Sequence, residues 1–188
     1  MKKIFLDTET TGLSPGMIAQ LAMIIIDENN EIRAKNYFFT IDYITSKAQS
    51  VCNDRGVEFY AKASNGKRFK DYANEILEEI KDATLVAHNL PFDENFISTE
   101  FWRLGITFRP SAGIDTKKYF KDKVQALNMF GRVKEPNMGD IINHYELSEE
   151  EIIKTASKLF RDDIKFDLTQ HDAIYDTTAL YMAFTKAE

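Results

Sequence analysis

Four carboxylates and one imidazole stand in three short, otherwise largely apolar segments of this 188-residue chain. They belong to Asp7, Glu9, Asp93, His171 and Asp176. An unpaired carboxylate is costly to bury, so a fold usually tolerates a group of them because a cation gathers them. We therefore interpret the four acids as ligands of a metal site.

The first segment, residues 4–13, contains Asp7 and Glu9. Its apolar start predicts a strand buried on both faces, in which Phe5, Asp7 and Glu9 point to the same side. The two acids then converge at the carboxyl end of the strand, where open α/β sheets bind ligands. Paired oxygen donors favour Mg²⁺ or Mn²⁺ over zinc. The alternative for this segment alone is a solvated strand end whose acids only flank a turn.

The second segment, residues 85–97, passes from a strand into a helix. Pro91 suits the first helical position and Asn89 can cap the helix, which places Asp93 in the first turn, where the helix dipole favours an anion. Helical spacing puts Asp93 on an inward-facing stripe with Ile97, Phe101 and Leu104. The alternative is an aspartate that only complements the dipole, as Glu94 would from the exposed side.

The third segment, residues 171–184, predicts a helix with one apolar stripe, formed by Ala173, Asp176, Leu180, Ala183 and Phe184. Asp176 then faces inward among small residues. His171 falls off this stripe and is expected in the loop or first turn before the helix, where an imidazole can take a proton from water near neutral pH. His88 and His144 are expected to be ordinary surface or core histidines.

The three segments together resemble the DEDDh family of 3′–5′ exonucleases and are similar to the proofreading epsilon subunit of bacterial DNA polymerase III. The matching motifs are Asp7-Thr8-Glu9-Thr10-Thr11-Gly12-Leu13, His88-Asn89-x-x-Phe92-Asp93 and His171-x-Ala173-x-x-Asp176. Each motif is short, but all three in order make a specific match. Residues 42–67 and 117–135 show no pattern that aligns. The chain also departs from its relatives at residues 19–22, where an acid is frequent, and at Thr177, where alanine is usual.

The resemblance implies an α/β protein with the ribonuclease H-like fold, a mixed central β-sheet flanked by α-helices. It also implies hydrolysis of single-stranded nucleic acid from the 3′ end to nucleoside 5′-monophosphates, with two divalent cations, Mg²⁺ or Mn²⁺. In this scheme Asp7 bridges both ions, and Glu9 and Asp176 complete the first. Asp93 acts directly or through water, and His171 is the general base.

Further residues are assigned to the substrate by the same resemblance. Those that follow the first strand would form the floor beneath the terminal nucleotide: Thr8, Thr10, Thr11, Gly12 and Leu13. The second motif adds His88 and Asn89 as substrate-binding candidates. DNA is favoured over RNA, and a DNA polymerase is a candidate partner. The alternatives are an exoribonuclease of the same family, a metal-free binding module of a nucleic-acid machine, and a metallophosphoesterase for small molecules.

Length and composition predict one soluble enzyme domain over residues 1–188. The hydrophobic content is 44%, and no apolar run approaches the length of a membrane span. The expected location is the cytoplasm, without a membrane partner. The single cysteine, Cys52, excludes an internal disulfide and is interpreted as a bystander.

The net charge of −6 argues against a protein that holds long nucleic acid on a broad basic surface. It does not argue against an enzyme that grips only a few terminal nucleotides. Two local basic clusters are candidates to contact the strand, although a charge run is more often only a solvated face. They are Lys117, Lys118, Lys121 and Lys123, and then Lys158, Arg161 and Lys165.

The remaining pattern predicts the elements that position these segments. Residues 17–26 and 32–40 read as strands of a hairpin beside the first strand. Residues 69–80 carry apolar side chains at helical spacing and predict an amphipathic helix that covers the sheet. In the helix after the second motif, Phe96, Phe101 and Trp102 are expected in the core rather than as a platform for base stacking.

Overall fold

A computed structural model describes residues 2–13, 16–164 and 166–188 of the chain. Within them, one mixed sheet has the strand order β3-β2-β1-β4-β5. Its strands are β1 (Lys3–Thr10), β2 (Ile18–Ile26), β3 (Ile32–Phe38), β4 (Thr84–Ala87) and β5 (Ala112–Asp115). Strand β2 is antiparallel to both of its neighbours, whereas β1, β4 and β5 run parallel. The mixed sheet and the hairpin beside the first strand are therefore confirmed.

Helices flank this sheet. They are α1 (Ser46–Val51), α2 (Val57–Ala63), α3 (Phe69–Ile80), α4 (Leu90–Arg103), α5 (Thr116–Val124), α6 (Met138–His144), α7 (Glu149–Phe160) and α8 (Ala173–Ala187). The amphipathic helix α3 has the predicted bounds, because its apolar face is buried against the sheet over its whole length.

The two faces of the sheet belong to two parts of the core. On one face Ile4 and Leu6 pack with the buried side chains of α3 and α4. On the other face Phe5 packs with α8, where its ring meets Phe184 edge to face at 5.3 Å between centroids. Strand β1 is thus buried on both faces, as predicted, because alternate residues supply the two layers.

Helix α4 departs from the expectations in detail. Phe96 and Phe101 are buried, but Trp102 is 76% exposed, so its placement in the core was wrong. Trp102 is nine residues after the buried Asp93, which places it about 180° around the helix, and therefore faces solvent. Leu104, expected on the inward stripe, is the C-cap residue and is 39% exposed. Pro91 occupies the second helical position rather than the first.

No helix in the described ranges is long and apolar enough to cross a membrane. The assignment of residues 1–188 to one domain stays a prediction.

Candidate active site

The site lies where β1 extends beyond its parallel neighbour. Strand β4 pairs with β1 only through Lys3, Ile4 and Phe5. The following residues of β1 keep their partners in β2, with Asp7 opposite Ala22. A cleft therefore opens at the carboxyl ends of the parallel strands, and the acids of β1 stand in it.

Three of the four predicted ligands converge in this cleft. Asp7, Glu9 and Asp176 each offer a carboxylate oxygen, and these oxygens lie within 4.8 Å of one another. Asp7 and Glu9 are alternate residues of β1, and Asp176 comes from the first turn of α8. The strand period and the helix start therefore bring three hard oxygen donors to one point, a set that suits a divalent cation such as Mg²⁺ or Mn²⁺.

The electrostatics of the cluster favour binding of a cation. Burial raises the pKa of Asp7 well above its usual value, and the neighbouring acids raise it further. Burial likewise raises the pKa of Glu9 to about 8 and that of Asp176 to about 7. No lysine or arginine of the described chain forms an ion pair with these three carboxylates. The donor set therefore fits a divalent cation, whose charge would favour all three ionised forms.

Asp93 lies beside this cluster rather than within it. It stands in the first turn of α4, as predicted, and is 2% exposed. Its Oδ1 accepts a hydrogen bond of 2.7 Å from Thr8 Oγ1. Burial raises the pKa of Asp93 to about 7, and its charge acts on Asp7. The helix thus brings a fourth acid to the edge of the site, where it remains a candidate ligand.

His171 precedes the N-cap of α8, in the loop position that its spacing predicted. Its side chain is 63% exposed, and its Nδ1 lies 4.0 Å from Asp176 Oδ2. The backbone N–H of His171 donates to the same oxygen at 3.2 Å. The residue has φ 62°, a left-handed conformation that only a few per cent of residues other than glycine adopt. The imidazole is therefore at the rim of the acid cluster and open to water.

A cavity of about 300 Å³ adjoins the cluster. Its lining includes the substrate candidates Thr8, Thr10, Gly12 and Leu13, together with Asp7, Glu9, Thr45, Lys47, Ala48, Val51, Cys52, Phe92, His171 and Asp176. Leu13 is 80% exposed and Val51 is 46% exposed, so apolar groups are available at the opening. Gly12 has φ 154°, and a Cβ there would lie 3.0 Å from Thr45 Cγ2, which explains glycine at this point of the loop.

Thr11, which was also predicted to lie beneath the terminal nucleotide, forms hydrogen bonds that stabilise the loop after β1. Its side chain is fully buried, and Oγ1 accepts a hydrogen bond of 3.0 Å from the Met17 backbone. The Thr11 carbonyl accepts another from the Thr45 backbone at 2.9 Å. Thr11 therefore stabilises the loop that lines the cavity and is not itself part of the lining.

His88 and Asn89 lie outside the lining of this cavity. His88 Nδ1 is 3.2 Å from Thr116 Oγ1, and burial lowers the pKa of the ring to about 4, with a smaller contribution from Lys117. The N–H of Asn89 donates to Asp115, and its side chain makes no capping hydrogen bond. Both residues face β5 and α5, and their role as substrate contacts stays a prediction.

The predicted basic clusters are likewise separate from the cavity lining. Lys118 lies 3.9 Å from Asp115, and Lys123 donates to the backbone oxygen of Ala187. In the second cluster Lys165 lies outside the described residues. Contact of either cluster with a strand stays a prediction.

Sequence reasoning missed the contribution of α1 and of Cys52. Cys52 Sγ donates a hydrogen bond of 3.0 Å to Glu9 Oε2, so the cysteine interpreted as a bystander contacts the acid cluster. The partners are 43 residues apart, and residues 42–67 show no motif or clear periodicity. No local signal could have found this contact, because it depends on how the chain returns to the site.

The model of a family described as RNase T exonuclease matches residues 4–184. The 3′–5′ exonuclease DinG of Staphylococcus epidermidis is 31% identical over 117 residues, which are 61% of this chain and 13% of DinG. DinG of Staphylococcus aureus is 47% identical over 53 residues, 28% of this chain and 6% of that protein. The chain thus matches only a small part of the length of these relatives.

Solved structures share the fold at low identity. Escherichia coli Exonuclease I in complex with a dA16 oligonucleotide has a TM-score of 0.69 and 15% identity, covering 96% of this chain and 39% of that chain. Exonuclease X in complex with 5′ overhanging duplex DNA has a TM-score of 0.62 and 17% identity, covering 98% and 92%. These likenesses confirm the α/β, ribonuclease H-like fold.

The family model spans nearly the whole chain, and its match agrees with the resemblance to DEDD-type 3′–5′ exonucleases that the three motifs indicated. Similarity to the epsilon subunit in particular stays a prediction. The chain belongs to the RNase T exonuclease family.

Proposed function

We propose that this protein removes nucleotides one at a time from the 3′ end of single-stranded nucleic acid, with DNA as the favoured substrate. The observation that carries the proposal is the convergence of Asp7, Glu9 and Asp176 within 4.8 Å beside a small cavity that His171 also lines. A clustered set of carboxylates next to an imidazole provides both parts of phosphodiester hydrolysis, a place for cations and an acceptor for a proton.

The cavity supports attack at an end rather than within a strand. Its volume of about 300 Å³ is at the small end of the range for ligand sites, and its opening carries the apolar side chains Leu13 and Val51. An apolar side chain can contact the face of a base without reading its identity. The site would therefore hold the terminal nucleotide and accept any sequence.

The residues of the chain would divide the chemistry between them. Asp7, Glu9 and Asp176 would hold two divalent cations, with Asp93 acting directly or through water. Bound there, the cations would lower the pKa of the attacking water and offset charge on the scissile phosphate. A ring nitrogen of His171 would accept the proton of the attacking water, and the product would be a nucleoside 5′-monophosphate.

Known relatives support DNA as the substrate. The curated relatives are named 3′–5′ exonucleases, and the similar Exonuclease I and Exonuclease X structures contain DNA. A DNA polymerase remains a candidate partner on the resemblance alone, and the cytoplasm remains the expected location.

The test is digestion of single-stranded DNA and RNA of the same sequence, labelled at either end, with Mg²⁺ or Mn²⁺. A 3′ label should leave as mononucleotide before a 5′-labelled strand shortens appreciably, and EDTA should stop the reaction. Asp7→Ala protein, purified in the same way, controls for contaminating nucleases.

Other outcomes would identify the alternatives. Faster digestion of RNA would indicate an exoribonuclease. Early internal fragments from circular single-stranded DNA would indicate an endonuclease and contradict the proposal. Hydrolysis confined to a small phosphodiester such as bis(p-nitrophenyl) phosphate would indicate a small-molecule enzyme, and binding without cleavage would indicate a binding module.

A further inference from the structure

The turn between α1 and α2, residues 52–55, contacts the acid cluster through its first residue. Cys52 is buried, and its Sγ donates the 3.0 Å hydrogen bond to Glu9 Oε2. A carboxylate held at one oxygen has a fixed orientation, and Glu9 is one of the three converging acids.

The second residue of the turn contacts the histidine segment. Asn53 Nδ2 donates to the carbonyl oxygens of Gln170 at 3.3 Å and of His171 at 3.2 Å. His171 has φ 62°, which is not the conformation its backbone prefers. A residue held in a sparsely populated conformation needs surrounding contacts to keep it there, and the Asn53 amide supplies two of them.

The last residue of the turn anchors the next residue of the same segment. Arg55 is buried and forms an ion pair with Asp172, which is fully buried. The guanidinium also lies 4.9 Å from the ring centroid of Phe59 and 4.3 Å from that of Phe166. Asp172 is the N-cap of α8 and accepts a hydrogen bond of 2.9 Å from the Ile174 backbone. The turn thus holds the start of the helix as well as the loop before it.

We propose that the turn formed by residues 52–55 is a positioning element that serves both parts of the site. Its first residue orients Glu9 for the cation, and the Asn53 and Arg55 side chains hold the segment that carries His171 at the rim of the cavity. The inference rests on the proposed function, because it assumes that Glu9 and His171 take part in hydrolysis. None of the four residues belongs to the three motifs, so the turn is an addition to the candidate site.

The sharpest test removes the amide of Asn53 and keeps its backbone. Asn53 has φ 55°, and glycine adopts that conformation without strain, so Asn53→Gly deletes the two hydrogen bonds alone. Asn65→Gly is the matched control, since Asn65 is exposed, has φ 52° and lies outside the cavity lining. We expect Asn53→Gly to lower kcat about tenfold, with KM for the oligonucleotide and half-saturating Mn²⁺ unchanged, and Asn65→Gly to have no effect.

A double-mutant cycle shows whether Asn53 acts through the histidine. In a His171→Ala background, Asn53→Gly should cause no further loss of kcat, because the group it positions is gone. The same tenfold loss in that background would overturn the inference and leave the proposed function standing. Full activity of His171→Ala alone would instead remove the general base from the proposed function and this part of the inference with it.

Cys52 is tested by the dependence of the rate on Mn²⁺. We expect Cys52→Ala to raise half-saturating Mn²⁺ about fivefold and to retain kcat at saturation, because the orientation of Glu9 is lost while the ligand remains. Cys52→Ser keeps a donor and should recover part of that shift. An unchanged Mn²⁺ dependence in Cys52→Ala, or equal shifts in the two variants, would overturn the role of the thiol.

Thermal melting of each variant separates positioning from folding, and rates are compared per folded molecule. Substitution of Arg55 would leave the buried Asp172 charge without its partner and would destabilise the fold, so the tests use Cys52 and Asn53 instead. A variant that melts earlier but keeps wild-type kcat and Mn²⁺ dependence would show that its residue is merely structural.

Discussion

Two groups of carboxylates in this protein have opposite pKa shifts. The first lies between α3 and β3, where Glu79 accepts hydrogen bonds of 2.6 and 2.5 Å from Arg33 and lies 3.0 Å from Lys35. The hydrogen bond from Arg33 is the main reason that the pKa of Glu79 is lowered to about 2. Glu75 accepts from Lys35 at 2.6 Å, and its pKa is lowered as well.

The second group is the cluster at the carboxyl end of β1. There burial raises the pKa of Glu9 to about 8 and that of Asp176 to about 7. The nearby Arg55 is already paired with Asp172. The acids on α3 thus receive their positive charge from neighbouring side chains, whereas the acids of the site would receive theirs from a bound cation, as the proposed function requires. The two groups of acids in this fold would therefore differ in the source of the positive charge that compensates them.

The largest expected effect on activity comes from removing one acid of the cluster, with removal of one acid on α3 as the matched control. Asp7→Ala should lower nuclease activity by several orders of magnitude while the protein stays folded, because the change removes a metal ligand and relieves repulsion among the acids. Glu79→Ala should retain activity. Rates on 3′-labelled single-stranded DNA and circular dichroism test both variants. An unfolded Asp7→Ala protein with normal activity per folded molecule would show that the cluster is structural.

The second largest effect on activity should come from removing the imidazole of His171, which lies at the site but is not a predicted metal ligand. His171→Ala should lower kcat by roughly 10²–10⁴-fold, the usual contribution of a general base, with Mn²⁺ affinity nearly unchanged. His144→Ala, at the exposed end of α6, is the control. Wild-type kcat in His171→Ala at every pH would mean that the imidazole is a bystander.

Stability in EDTA should depend on pH with opposite signs for the two groups. A carboxyl whose pKa is raised in the folded state contributes stability that is complete below its unfolded pKa and is lost as the pH rises through the folded pKa. With folded pKa values of about 8 for Glu9 and about 7 for Asp93 and Asp176, Tm should fall between about pH 5 and pH 9.

The paired acid has the reverse dependence. For Glu79 the lowered pKa means stability that is present above the unfolded pKa of 4.5 and is lost as the pH falls toward about 2.

Saturating Mn²⁺ should raise Tm and reduce the fall of Tm at alkaline pH, because binding to the folded state favours the ionised acids of the cluster. Melting curves across pH with EDTA or Mn²⁺ test this, and a Tm in EDTA that rises up to pH 9 would contradict it.

The smallest effect concerns the paired acids alone. Arg33→Ala should lower the free energy of unfolding by about 0.5–1 kcal/mol, the range for a partly exposed ion pair, and leave activity unchanged. The Arg33 side chain is 45% exposed, so about 1 M salt should weaken the pair. Urea unfolding at low and high salt measures this loss. A loss of several kcal/mol would mean that the pair is part of the core.

Local patterns in the sequence were sufficient for much of the site. The period of two in β1 put Asp7 and Glu9 on one side, and helical spacing put Asp93 and Asp176 on inward-facing stripes. Such patterns are informative because a strand or helix fixes the direction of side chains a few residues apart. The placement of Trp102 in the core was wrong, because it rested on the apolar character of the side chain and not on its position around the helix, which is opposite the inward-facing stripe.

The sequence by itself determined which residues are candidates for the chemistry, which elements present them and which exonuclease family the chain resembles. Only the tertiary structure decided that three acids meet while Asp93 lies beside them, hydrogen-bonded to Thr8. It alone placed Cys52 against Glu9 and the turn of residues 52–55 against the His171 segment. These contacts join positions far apart in the chain, and their distances follow from the packing of whole helices against the sheet, which no local period encodes.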